Sequence, residues 1–225
     1  MSLKIAPSVL ASDFSKLGSE TVRMYECGAD YLHLDVMDGA FVPNISFGAP
    51  VISAIRKCTP IFFDVHLMIC NPLKYIDDFK RSGADNITFH IEAVDEPEKV
   101  IDYIHSVGCK ASVSVKPATD IEVVFPFLEK LDMVLIMTVE PGFGGQSFMW
   151  DMLPKIKKLR KEINEKSLSV DIEVDGGIDE NTVAVAAANG ANIFVSGSTI
   201  FRSDDPKKTI CDLKEKATEN FCKEL

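Results

Sequence analysis

Ser82-Gly83-Ala84-Asp85 follows a helical pattern and leads into the β-rich run Asn86–His90, and this joint decides the fold because it recurs. Cys27-Gly28-Ala29-Asp30 stands before Tyr31–Asp35, and Asn189-Gly190-Ala191-Asn192 before Ile193–Gly197. Val107-Gly108-Cys109 is a weaker copy before Lys110–Val115. Glycine suits the position just past a helix, where the backbone turns left-handed and a Cβ is penalised. The glycines fall at multiples of roughly 27 residues, and eight such units fill a barrel of about 250 residues. The 225 residues therefore read as eight repeated βα units in a single domain, 1–225. The fold class is α/β, a (β/α)8 TIM barrel.

Working outward, further strand-like runs lie at Lys4–Val9, Ile61–His66, Met133–Thr138 and Val170–Asp175. Their rows of Ile, Val, Leu and Phe suit strands buried on both faces of a parallel sheet. Helical spacing appears in Ile156, Leu159 and Ile163, and again in Ile210, Leu213 and Ala217. Asn71-Pro72, Glu96-Pro97 and Asp205-Pro206 each place a polar residue before a proline at a first helical turn. The lysine- and arginine-rich stretch Lys155, Lys157, Lys158, Arg160 and Lys161 reads as a solvated helix face.

A net charge of −10 argues against nucleic acid and anionic membranes as partners. The six cysteines, Cys27, Cys58, Cys70, Cys109, Cys211 and Cys222, form no CxxC pair and no metal-type spacing, which fits a reducing compartment. Leu3–Leu10 is strand-like rather than signal-like, and no apolar run approaches a membrane span. A cytoplasmic protein without a membrane partner is expected.

In such barrels chemistry gathers where strands end and βα loops begin. His33 and Asp35, two apart, share one face of the second strand, with Leu32 and Leu34 on the other. The third strand ends in Asp64-Val65-His66-Leu67-Met68, the seventh in Glu173-Val174-Asp175-Gly176-Gly177. Alone, a strand histidine is ordinarily a hydrogen-bonded core residue, and an aspartate before Gly-Gly a turn former. Together they offer an N2O2 set suited to Zn²⁺, Fe²⁺, Mn²⁺ or Co²⁺. A divalent ion stabilises the enediolate formed when a proton leaves carbon beside a ketone. One carboxylate as base and another as acid on the opposite face invert that carbon, which is epimerisation.

Glycines follow three consecutive strands: Gly142-Phe143-Gly144-Gly145, Gly176-Gly177 and Gly197-Ser198. Main-chain N–H groups in such loops hold anions, so a phosphate can bind within an acidic protein. Met37, Met68 and Met137, all at strand ends, are candidates for an apolar lining around the reacting carbon. Lys116 reads as structural or solvent-facing, His90 as a neighbour of the ligands and His105 as surface.

The stretches LHLDVMDGAFVPNISFG (32–48), DVHLM (64–68), EPGFGGQSF (140–148), EVDGGI (173–178) and VSGSTIF (195–201) resemble the signatures of the ribulose-phosphate 3-epimerase family, in that family's order. The likeness runs from Ala6-Pro7-Ser8 to about Phe201. It implies a ribulose-phosphate-binding barrel that interconverts D-ribulose 5-phosphate and D-xylulose 5-phosphate in the pentose phosphate pathway. It implies Asp35 and Asp175 as the acid/base pair, and His33, Asp35, His66 and Asp175 as ligands to one ion, zinc or iron. His33 and His66 border the substrate in that scheme, and Ser8 matches a substrate-contacting serine. The residues from Gly142 to Gly145, with Gly176-Gly177 and Gly197-Ser198, match phosphate contacts. Homo-oligomers are common among such barrels. Ala40 and Ala118 depart from the pattern, where relatives carry histidine and glycine.

Three other readings are weighed. An epimerase for a six-carbon ketose phosphate would keep the same residues. A decarboxylase or aldolase on a related barrel would need an Asp-x-Lys-x-x-Asp motif, and Asp64–Ile69 lacks both its lysine and its second aspartate. A non-catalytic phosphate-binding scaffold has no use for the full set of histidines and aspartates.

Overall fold

The computed structural model describes residues 2–221. Cys222 and the extreme ends of the span 1–225 lie outside the described residues; the five other cysteines are free thiols. Eight parallel strands form one sheet: β1 Lys4–Pro7, β2 Tyr31–Met37, β3 Phe62–Met68, β4 Asn86–His90, β5 Lys110–Val115, β6 Met133–Met137, β7 Asp171–Asp175 and β8 Ile193–Ser196. From β2 to β8 each strand pairs with the next, and β8 pairs with β1, so the sheet curls into a TIM barrel. Between β1 and β2 the seam closes through a single bridge, Ser8 to His33. Pro7, at the end of β1, has no N–H to extend that ladder.

The helices between strands are α1 Leu17–Glu26, α2 Ala49–Arg56, α3 Ile76–Ser82, α4 Pro97–Ser106, α5 Leu153–Glu165, α6 Thr182–Ala188, α7 Ser198–Phe201 and α8 Pro206–Asn220. The regular repeat fails once: β5 and β6 are joined by 3-10 turns over Ile121–Lys130. Pro126 lies inside that stretch, where it removes one helical donor and crowds the preceding turn. Of the three expected starts, only Asp205 caps its helix with a side chain, accepting from the Lys208 amide. Pro72 opens a 3-10 turn ahead of α3, and the Glu96 side chain makes no cap bond.

The recurring joint has a structural cause beyond its glycine. Asp30 accepts from the amide of Ile5, Asp85 from that of Phe63, Asp132 from that of Ala111 and Asn192 from that of Ile172. Each of these side chains enters an even strand and pins the start of the odd strand before it. The strong copies of the motif thus mark pairs of βα units rather than single ones. Gly83 adopts φ 102°, and a Cβ there would lie 2.4 Å from the Arg56 side chain.

Leu32, Leu34, Val65, Leu67 and Val174 face outward into a continuous core against the helices, all fully buried. Ile156, Leu159, Ile163, Ile210, Leu213 and Ala217 close that core from the helix side, as their spacing predicts. Arg160 does not lie on a solvated face. It is 1% exposed and donates to the carbonyls of Gly190 and Val170 and to Asn192 Oδ1. Lys155 is half-buried and donates to the carbonyls of Lys116, Pro117 and Thr119. Long basic side chains sink where unpaired carbonyls await donors.

Candidate active site and metal centre

β2 and β3 run two residues beyond their expected ends, so His33, Asp35 and His66 sit within the ladder rather than at its tip. Asp35 is in register with His66, and His33 with Asp64. With Leu32 and Leu34 turned outward, period-2 alternation drives His33 and Asp35 into the barrel. All three ligand candidates there are buried, while the Asp175 side chain is 16% exposed.

Four atoms converge. His33 Nε2 lies 3.3 Å from Asp35 Oδ1 and 3.3 Å from His66 Nδ1, and His66 Nδ1 lies 3.3 Å from Asp35 Oδ1. Asp175 Oδ2 is 3.8 Å from His33 Nε2 and 3.9 Å from His66 Nδ1. All four atoms lie within 4.8 Å of one another. A tetrahedral ion with ligands at about 2.0–2.1 Å has edges of about 3.3–3.4 Å, so three of these atoms form one face of such a tetrahedron. The donor set, two imidazoles and two carboxylates, fits a divalent ion of the zinc or iron type.

The rings are oriented from behind. Asp64 Oδ2 is 2.7 Å from His33 Nδ1, and its Oδ1 accepts from Asn86 Nδ2 over 2.6 Å. His33 therefore presents Nε2 to the cluster, whereas His66 presents Nδ1. Ser8 donates to Asp35 Oδ2 over 2.6 Å, leaving Oδ1 to the histidines. His90, a neighbour of the ligands as expected, places Nε2 2.9 Å from His66 Nε2. His105 is exposed on α4, as read from sequence.

Electrostatics separate the two aspartates. Burial disfavours the Asp35 anion, but His33 and His66 outweigh it and hold the carboxyl well below its usual range. Burial and the Asp35 charge push Asp175 up to about 6. His33 is raised well above its ordinary value because Asp35, Asp64 and Glu173 overcome the effect of burial. Burial, with the nearby Asp64 charge, drives Glu173 upward, and no oxygen of Glu173 has a hydrogen-bond partner among the described residues. Burial pushes His90 down to about 4. Burial also opposes the Glu92 anion, yet contacts from His90, Thr119 and the Lys116 amide bring it to about 2.

A cavity of about 430 Å³ opens directly onto this cluster. Its walls include Ser8, Asp35, Asp175, Met37, Met68 and Met137, together with Gly142–Gly145, Gly176, Gly177, Gly197 and Ser198. His33 and His66 are absent from the wall because they lie beneath the aspartates, fully buried. The three methionines are nearly fully buried around the cluster's mouth. Gly177 adopts φ 66°, and a Cβ there would stand 2.3 Å from the Phe148 amide nitrogen, so this loop tolerates no side chain. The loop after β6 is braced by Gln146, which donates to the carbonyls of Glu140 and Phe143, and by Asn44, which donates to Gly142 O. Phe143 is 55% exposed at its rim.

Sequence reading left out the outer residues of the cluster: Asp64, Asn86, Glu92 and Glu173. Asp64 and Glu173 carried a usable signal, since each stands two residues before a candidate ligand on the same strand face. Asn86 and Glu92 carried none. Lys116 is not free: its Nζ lies 3.9 Å from the centre of the Phe41 ring.

Comparisons with known proteins place the chain in a family. Residues 4–201 match the model of the Ribulose-phosphate 3 epimerase family. A cytoplasmic-isoform ribulose-phosphate 3-epimerase of Oryza sativa is 48% identical, covering 94% of this chain and 93% of its own. The ribulose-phosphate 3-epimerase of Candida glabrata is 44% identical, covering 96% of this chain and 93% of its own. Among solved structures, KGPDC from Streptococcus mutans superposes with a TM-score of 0.74 over 99% of this chain and all of its own, at 13% identity. That last likeness shows the barrel alone.

Proposed function

The chain belongs to the ribulose-phosphate 3-epimerase family, and on that premise we propose that it interconverts D-ribulose 5-phosphate and D-xylulose 5-phosphate by inverting carbon 3. The observation that carries this reading is the placement of Asp35 and Asp175. They project from β2 and β7, with β1 and β8 between them on one side and four strands on the other. Their ligand oxygens nevertheless lie within 4.8 Å of each other and of both histidines, and both line the same cavity.

Each aspartate turns one oxygen toward the cluster and keeps the other for substrate. Asp35, ionised, takes the proton from carbon 3 on one face, and the electron pair of the broken C–H bond passes into the enediolate. Asp175, protonated, returns a proton to the opposite face. The reverse reaction exchanges the two roles. A divalent ion held by His33, Asp35, His66 and Asp175, zinc or iron, supplies Lewis-acid stabilisation to negative charge on substrate oxygens. Met37, Met68 and Met137 keep water from the reacting carbon. The amides of Gly142–Gly145, Gly176-Gly177 and Gly197-Ser198 receive the phosphate, which the net charge of −10 would otherwise repel. No helix among the described residues is long and apolar enough to cross a membrane, and the reading places the enzyme in the cytoplasm, in the pentose phosphate pathway.

A coupled assay on ribulose 5-phosphate, with elemental analysis of the same sample, tests the reading. Turnover with about one divalent ion per chain is the expected result. Faster turnover of a six-carbon ketose phosphate, or full activity in verified metal-free protein, would overturn it.

A further inference from the structure

His33 is oriented by a carboxylate, but His66 is oriented by another imidazole. His66 Nε2 and His90 Nε2 are 2.9 Å apart. The ring centres are 5.0 Å apart with 29° between the planes. A centre separation so much longer than the nitrogen contact means that the rings meet end to end, as a hydrogen bond requires, rather than face to face. One of these two nitrogens must carry the hydrogen, and the pair alone does not say which.

Glu92 decides. Its Oε1 accepts from the Lys116 amide over 2.8 Å and from the Thr119 hydroxyl. Its Oε2 faces His90 Nδ1 at 3.3 Å. Lys155 holds the carbonyls of Lys116, Pro117 and Thr119, so the loop that anchors Glu92 is itself anchored. A fixed carboxylate beside a ring nitrogen demands a donor there, because a bare nitrogen would set lone pair against lone pair. His90 is then Nδ1–H, its Nε2 is an acceptor, and His66 must donate from Nε2. The lone pair left on His66 Nδ1 points at Asp35 Oδ1 and His33 Nε2, and here a cation shared by the three atoms takes the place that a proton holds between Glu92 and His90. Phe41 packs on the His90 ring with centres 4.8 Å apart. His66 and His90 are fully buried, and away from water a hydrogen bond keeps more of its strength.

We infer that Glu92 and His90 are positioning residues, a two-step hydrogen-bond relay that fixes His66 as the Nε2–H tautomer and so makes its Nδ1 a cation ligand. The inference rests on the metal-cluster reading above. Neighbours that orient a ligating histidine ordinarily change metal affinity by about 10–100-fold when removed.

The test is zinc affinity by competition with a chromophoric chelator, together with the visible spectrum of the cobalt-loaded protein. His90→Leu removes the acceptor and should weaken zinc by about 10–100-fold and alter the cobalt bands. His90→Gln, whose amide oxygen accepts from His66, should restore most of the affinity. Glu92→Gln should weaken zinc by about tenfold, and Thr119→Val, which removes one of the two donors that fix Glu92 but leaves its Oε2 facing His90, should weaken it by less. Nitrogen NMR of the unsubstituted protein should show His66 as Nε2–H whether or not any variant folds. Wild-type zinc affinity in both His90→Leu and Glu92→Gln, or an Nδ1–H His66, would overturn the relay alone. Failure of the wild-type chain to bind zinc or cobalt would overturn the metal cluster and the relay with it.

Discussion

Ser8 donates its hydroxyl to Asp35 Oδ2 over 2.6 Å, so the two oxygens of one carboxylate have separate duties. Oδ1 faces His33 and His66, and Oδ2 stands with Ser8 on the cavity side. A donor to an ionised carboxylate stabilises the charged form. Ser8→Ala should therefore move the acid limb of the pH profile of kcat/KM to higher pH and lower kcat by about tenfold, the effect of about 1.4 kcal/mol. An unchanged acid limb would mean that Oδ2 is not the base.

Asp35→Asn and Asp175→Asn should each reduce epimerisation at least 10²-fold in both directions, with the far-UV circular dichroism of the barrel retained. Turnover in D₂O should place deuterium at carbon 3 of the product. A variant that keeps more than about a tenth of the wild-type rate would remove that aspartate from proton transfer.

Metal binding should be pH-dependent with a fixed sign. In the metal-free cluster Asp175 is raised to about 6 by burial and the Asp35 charge, and His33 is raised further above its own ordinary value. His33 must lose a proton to act as a ligand, whereas Asp35 is already ionised and Asp175 can turn one oxygen to the ion while the other keeps the proton used in turnover. Apparent affinity should rise with pH, by about tenfold per unit while His33 still holds the proton it must lose. Competition titrations across pH 5–8 measure this; a flat profile would contradict the assigned protonation states.

Arg160 lies at the opposite end of the strands from the cavity, tied to Gly190, Val170 and Asn192. Arg160→Met should cost about 2–4 kcal/mol of stability by leaving buried acceptors unpaired. Urea unfolding should show the loss while kcat at low temperature stays within about twofold, since no contact connects Arg160 to the cluster. A large fall in kcat with unchanged stability would reverse that assignment.

Much of this was legible from the chain. Parallel strands buried on both faces announce themselves as apolar runs, and the Gly-Ala-Asp joints set their spacing. His33, Asp35, His66 and Asp175 were readable because alternation along a strand fixes which face a residue takes. Where the reading failed, the reason is physical. Arg160 looked solvated because its helix carries lysines on either side, but its environment is set by the Val170 carbonyl just before β7 and by Gly190 O and Asn192 Oδ1 in the joint before β8. The eightfold βα repeat implied a helix after β5, and 3-10 turns containing Pro126 stand there instead.

The sequence by itself determined the barrel, the four inward-facing candidate ligands and the glycine loops, because these follow from local periodicity and the chemistry of each residue. Only the tertiary structure decided which nitrogen each histidine turns inward, how burial and neighbouring charge separate the two aspartates, and that His90 and Glu92 stand behind His66. Those outcomes depend on burial and on lone pairs meeting across strands far apart in the chain, and no spacing along one strand encodes them.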